Sequence, residues 1–103
     1  MYVNVVGGMR IDEPAIDLGI VMAVTSSLRE RPIDHRTVAM GELGLGGEVR
    51  AVSQAELRIR EAAKMGFRRC LLPERNLERL DPVNGIELVG VREVGEALDV
   101  VMA

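Results

Sequence analysis

Four glycines crowd into seven residues, at Gly41, Gly44, Gly46 and Gly47, and no other feature limits this chain as much. Such a segment cannot continue a helix, because each interior glycine costs roughly 1 kcal/mol relative to alanine. Leu43 and Leu45 alternate with the glycines, and short strand-like runs flank them, Thr37 to Met40 before and Glu48 to Val52 after. The pattern over Glu42 to Val52 predicts a β-hairpin with a Gly-Gly turn. A phosphate-cradling loop is the competing reading of a glycine-rich stretch. That loop needs a Gly-Lys-Ser/Thr ending and a helix after it, and this segment has no such ending and leads into a strand.

The rest of the chain alternates strand and helix signals. Tyr2 to Val6 reads as a strand closed by Gly7-Gly8. Asp12 and Glu13 stand before Pro14 in the order of a helix cap and first-turn proline. A helix follows from Ala15 to about Leu28, with Ile16, Ile20, Ala23, Val24 and Leu28 on its inner face. Leu18, Val21 and Met22 make it apolar nearly all round, which predicts burial on more than one side. After the hairpin, Ser53 is expected to cap a helix from Gln54 to Met65, with Gly66 at its C-terminus. Its apolar side is Ala55, Ile59, Ala62 and Ala63, and Arg58, Glu61 and Lys64 face water. Arg68 to Leu72 is a strand stopped by Pro73, Asn76 to Leu80 a turn of helix at most, Ile86 to Val91 the last strand and Glu93 to Met102 the last helix. The order β-α-β-β-α-β-β-α predicts an α/β (α+β) layer structure with some parallel pairing, in one domain over residues 1–103.

Composition narrows the functional classes. The chain is 48% hydrophobic but 2% aromatic, so aliphatic side chains and methionine must fill the core. Thirteen basic and sixteen acidic residues give a net charge of −3, so any contact with DNA needs a local patch and not a global field. Cys70 is the sole cysteine and sits in the apolar run Cys70-Leu71-Leu72, which reads as a buried small hydrophobe and not a nucleophile. No signal peptide opens the sequence and no uncharged run is long enough for a membrane span, so a soluble cytoplasmic protein is expected. His35 stands alone between Asp34 and Arg36, without partners at metal-ligand spacing, and neither a metal nor a cofactor is expected. Ser26 and Ser27 end a helix with no base beside them and read as capping or packing residues. Asp17 interrupts an apolar helix, either as a first-turn charge on the helix dipole or as half of an ion pair across a subunit interface. Arg58, Arg60, Lys64, Arg68 and Arg69 form the one basic cluster, partly offset by Glu56 and Glu61. A solvated helix face and a phosphate-contacting patch both fit it.

Several uncommon strings occur together and in order. They are Val3-Asn4-Val5-Val6-Gly7-Gly8, Glu13-Pro14-Ala15 with Asp17-Leu18, Ser26-Ser27, Arg31-Pro32, Gly41 to Arg50, and Glu61-Ala62-Ala63-Lys64-Met65-Gly66-Phe67. This series resembles the Lon-protease-like domain of the RadA family of bacterial DNA-repair proteins, almost end to end. The resemblance implies the fold of the Lon proteolytic domain, which is like domain 2 of ribosomal protein S5. In true Lon proteases the nucleophilic serine follows the proline of the segment resembling Glu13-Pro14-Ala15, and here Ala15 stands there. The general-base lysine falls at Glu56. With neither hydroxyl nor lysine, no covalent intermediate can form, so no catalytic residue is expected in this chain.

Further implications concern assembly. In the family such a domain follows a zinc finger and a RecA-like ATPase, in a hexameric ring that acts in recombination. The chain is therefore expected to be a noncatalytic oligomerisation scaffold, forming a homo-oligomer through Asp17 and its helix and contacting DNA through the basic cluster. The resemblance also implies that the first strands of a complete Lon-like domain are missing. The chain then reads as a piece of a longer protein or a short independent homologue, with an uncovered edge that self-association would cover. A divergent serine peptidase and a protein-binding regulatory module are the rival readings.

Overall fold

The computed structural model describes residues 14–102. The expected strand at Tyr2 to Val6 and the cap at Asp12 and Glu13 lie outside the described residues. Pro14–Ile16 make a 3-10 turn leading into α1 (Asp17–Arg29). Next come β1 (Thr37–Ala39), β2 (Glu42–Leu43), β3 (Val49–Arg50), α2 (Ala55–Lys64), β4 (Arg69–Pro73), α3 (Glu74–Leu77), β5 (Glu87–Val91) and α4 (Val94–Met102). The hairpin contributes a strand separate from β1, which the expected order did not count. The turn placed at Asn76 to Leu80 is a short helix three residues upstream of its expected end.

The strand β4 is central, with β1 and β5 parallel to it on either side, in the order β1-β4-β5. Successive side chains on a strand point to opposite faces. Cys70 and Leu72 therefore join one core with Ile59 and Ala62 of α2, and Leu77 of α3 packs against it. Leu71 joins a second core with Leu18 and Met22 of α1, Val49 of β3, Val91 of β5 and Ala97 of α4. The sheet is covered on both faces, which is why β4 reads as an unbroken apolar run and not as an alternation. Cys70 is fully buried, and burial pushes its thiol up to about 12, in keeping with a packing role.

Gly41 ties the layers together. Its N–H donates to the Ala15 carbonyl at 2.9 Å, and its own carbonyl accepts from the Leu18 N–H at 3.0 Å. These bonds fix how α1 is rotated against the sheet. A helix apolar on all sides carries no pattern that could set this rotation, and the expected inner face was misplaced. Leu18 and Met22 are buried, whereas Ala23 and Leu28 are exposed.

Both long helices end in the same way. Gly66 is left-handed (φ 98°), the Phe67 N–H returns to the Ala62 carbonyl and the Gly66 N–H to the Ala63 carbonyl. That is a Schellman closure. α1 repeats it with Glu30 at the left-handed position (φ 53°), closing on Ser26 and Ser27, and the Ser26 hydroxyl also donates to the Arg31 carbonyl. Ser53 does not cap α2. Gln54 precedes the helix in a left-handed conformation, no side chain caps it, and the Ser53 carbonyl instead accepts from Arg58 Nε at 2.8 Å.

The hairpin turn also differs from a two-residue Gly-Gly turn. The Gly44 N–H bonds the Glu48 carbonyl at 2.9 Å, leaving a three-residue loop, Leu45 to Gly47, whose last residue is left-handed (φ 85°). Asn76 makes a further joint. Its amide accepts from the Val52 N–H at 2.8 Å and donates to the Val52 carbonyl at 3.0 Å, holding α3 to the segment between β3 and α2.

Two stability tests follow from these joints. Asn76→Ala should cost about 1–3 kcal/mol in chemical denaturation, since two partly buried backbone groups lose their partner. A Cβ added at Gly41 would stand 2.7 Å from Val49 Cγ1. Gly41→Ala should therefore cost about 1–3 kcal/mol, and less in a Val49→Ala background, where the opposing methyl is gone. Additive losses in the double variant would show that this contact is not the source.

Candidate functional site

Because β1, β4 and β5 run parallel, their first residues lie at one end of the sheet. Thr37 pairs with Arg69, and Arg69 with Glu87. The backbone braces this end. The Arg68 and Arg69 N–H groups both reach the Arg36 carbonyl, at 2.8 and 3.2 Å, and the Glu87 N–H bonds the Arg68 carbonyl at 2.8 Å. Around it opens a cavity of about 430 Å³ lined by Asp34, Arg36, Thr37, Arg68, Arg69 and Glu87. Three guanidinium and two carboxylate groups leave one net positive charge. Among the described residues, none of the three arginines takes part in an ion pair. Their donors are free to meet an anion, for which a planar fork of N–H groups is well suited.

At the opposite end, where α/β sheets commonly bind ligands, the hairpin fills the space. The Val49 N–H bonds the Arg92 carbonyl at 2.8 Å and the Val94 N–H bonds the Gly47 carbonyl at 2.9 Å. A second concavity, about 190 Å³, is walled by Leu77, Leu80, Pro82, Val83, Ile86 and Leu88 and offers no polar side chain for orientation.

The structure divides the basic cluster of the sequence. Arg60 pairs with Glu56 at 2.6 Å and Lys64 with Glu61 at 3.6 Å, both along α2. Arg58 is half-buried and held to the Ser53 carbonyl, so it does not simply face water. Arg68 and Arg69 leave this face and enter the notch. Arg36, 32 residues before Arg68 in the chain, joins them there, and sequence spacing alone does not reveal it. The signal lies in strand starts: once Thr37, Arg69 and Glu87 are set in parallel register, their neighbours must share one end.

Ala15 is buried in the turn before α1, and its carbonyl is held by Gly41. Glu56 is exposed on α2 beside Arg60. No hydrogen bond links these two positions among the described residues. Asp17 begins α1, where a negative charge suits the helix dipole. One of its carboxylate oxygens accepts from the Leu43 N–H at 3.3 Å, satisfying the outward edge of β2. His35 is exposed, with Nδ1 3.9 Å from Asp34.

The model of a family described as subunit ChlI of Mg-chelatase matches residues 2–76. The chain belongs to that family. Its relatives include proteins named DNA repair protein RadA. The Bacillus subtilis protein is 50% identical over 97 residues, covering 94% of this chain and 21% of the relative. The Halalkalibacterium halodurans protein is 48% identical over 101 residues, covering 98% and 22%. The Escherichia coli protein is 44% identical over 100 residues, covering 97% and 22%. The chain thus spans about a fifth of the length of these relatives. No described helix is long and apolar enough to cross a membrane.

The carboxyl of Asp34 is held below the usual aspartate range, first by the Arg36 backbone N–H at 2.8 Å and then by the charges of Arg36, His35 and Arg69. It therefore stays ionised until the pH falls through that lowered value. Asp34 should therefore lose its charge only below the ordinary aspartate range. An NMR titration of Asp34 checks this. Arg36→Ala should leave most of the depression in place, because the main cause is a backbone donor.

Proposed function

We propose that this chain is a noncatalytic, Lon-like assembly domain of a RadA-type DNA repair protein, and that it meets the DNA backbone. The name of the relatives supplies the process, and the family strings from Val3 to Phe67 support the Lon-like reading. The observation that carries the DNA contact is the notch, whose lining brings Arg68 and Arg69 together with Arg36. A protein with a net charge of −3 needs such a local patch, since its overall field repels a polyanion. Ala15 in place of the nucleophile and Glu56 in place of the base support a noncatalytic role. Without them the domain has to act by position. Asp17 and α1 are proposed as the assembly surface of a ring, and the parent protein is proposed to be the ATPase that uses it.

The DNA contact is tested by replacing Arg68 and Arg69 with alanine, singly and together. Each single change should weaken binding about equally for unrelated sequences and lower the salt slope by about 1. Unchanged binding and slope would remove both residues from the interface. Light scattering across concentration and salt tests assembly: a discrete oligomer supports the scaffold, and a monomer throughout removes it for this chain. Stoichiometric labelling by a fluorophosphonate would overturn the noncatalytic assignment.

A further inference from the structure

Resting on the DNA-contact reading, we infer that the notch seats a single internal phosphodiester, with Arg36 as its third guanidinium and Glu87 as the residue that sets its charge. Arg69 sits in the middle of a cross-strand row, flanked in register by Thr37 and Glu87. Glu87 is exposed, lines the same cavity, and makes no ion pair among the described residues. Its charge lowers the attraction of the notch for any anion without consuming a guanidinium. Asp34 is different: it spends an oxygen on the Arg36 N–H and shapes the bend before β1.

Three cations against two carboxylates leave a site matched to one negative charge. A phosphodiester carries one such charge, whereas a terminal phosphate or inorganic phosphate carries up to two near neutral pH. The acids in the notch thus hold down its affinity for phosphate ends and for the free ion, favouring the interior of a strand. The backbone around the notch is already paired within the protein: the N–H groups of Thr37, Arg68, Arg69 and Glu87 are bonded to carbonyls. Recognition therefore falls to the side chains, and Arg36 shares it because it lines the same cavity as Arg68 and Arg69.

The test is fluorescence anisotropy of this chain with a labelled oligonucleotide bearing a 5′-hydroxyl. The competitors are unlabelled oligonucleotides with 5′-hydroxyl or 5′-phosphate ends, and inorganic phosphate. Arg36→Ala should weaken binding several-fold, on the scale of Arg68→Ala. Glu87→Gln should tighten it several-fold and make inorganic phosphate and the 5′-phosphorylated strand better competitors. Both positions are exposed, so circular dichroism should show unchanged folding. If Arg68→Ala weakens binding while Arg36→Ala and Glu87→Gln do not alter it, the DNA-contact reading stands and this inference fails. If the native chain binds no oligonucleotide, both fail. Preference of the native chain for the phosphorylated end over the 5′-hydroxyl strand would overturn the charge argument by itself.

Discussion

The parallel register on β4 is the constraint from which the rest of the structure follows. Cys70, Leu71, Leu72 and Pro73 are buried, and the strand pairs on both edges and packs on both faces. A strand enclosed in this way leaves little freedom to its neighbours. A slip of one residue would send Leu71 toward the α2 core and Cys70 and Leu72 toward the α1 core. With the register fixed, β1 and β5 start level with β4, and whatever precedes or opens them meets at one end. The arginine notch is thus a by-product of core packing. Its geometry is held by apolar residues that never touch its contents.

The hairpin has the complementary task. β2 and β3 are only two residues long each, too short to stand alone. They persist because each side is tied elsewhere. Asp17 takes the outward N–H of Leu43, Arg92 takes that of Val49, and Val49 is buried in the core of α1 and α4. Small size at Gly41 permits this, since a side chain there would collide with Val49. The glycine-rich string that dominates the sequence is therefore explained by close packing and by the left-handed loop position at Gly47. It is not needed for a phosphate loop.

The legibility of the sequence varied with the kind of information each feature carries. Among the described residues, elements flanked by glycine or proline, as at Gly66 and Pro73, lie within a few residues of their expected places because their signals are local. The rotation of α1 was not legible, since Ile20, Val21, Ala23 and Val24 offer apolar side chains on every side and a hydrogen bond from Leu18 to Gly41 decides the matter. Ser53 looked like a cap because its residue type favours one. The left-handed Gln54 instead sets the entry to the helix, and backbone conformation of that sort leaves no mark in a single sequence. Of the notch, Arg68 and Arg69 were visible as a pair of charges, whereas Arg36, Asp34 and Glu87 depend on which strands are neighbours.

That difference matters for how the basic cluster is understood. Read along the chain, Arg58 to Arg69 forms one patch of five cations. In space it is two systems with different chemistry. On α2 the cations have partners: Glu56 for Arg60, Glu61 for Lys64 and the Ser53 carbonyl for Arg58, arrangements that steady a helix and its solubility. At the sheet end none of the three arginines makes an ion pair among the described residues, and the backbone N–H groups of Arg68 and Arg69 are braced on the Arg36 carbonyl. Exposed cations held by neighbouring acids must lose those contacts before they can meet a new anion, whereas those of the notch need not. On the proposed DNA contact an anion is expected to gain more at the sheet end than along the helix, although each carries three cations beside two acids.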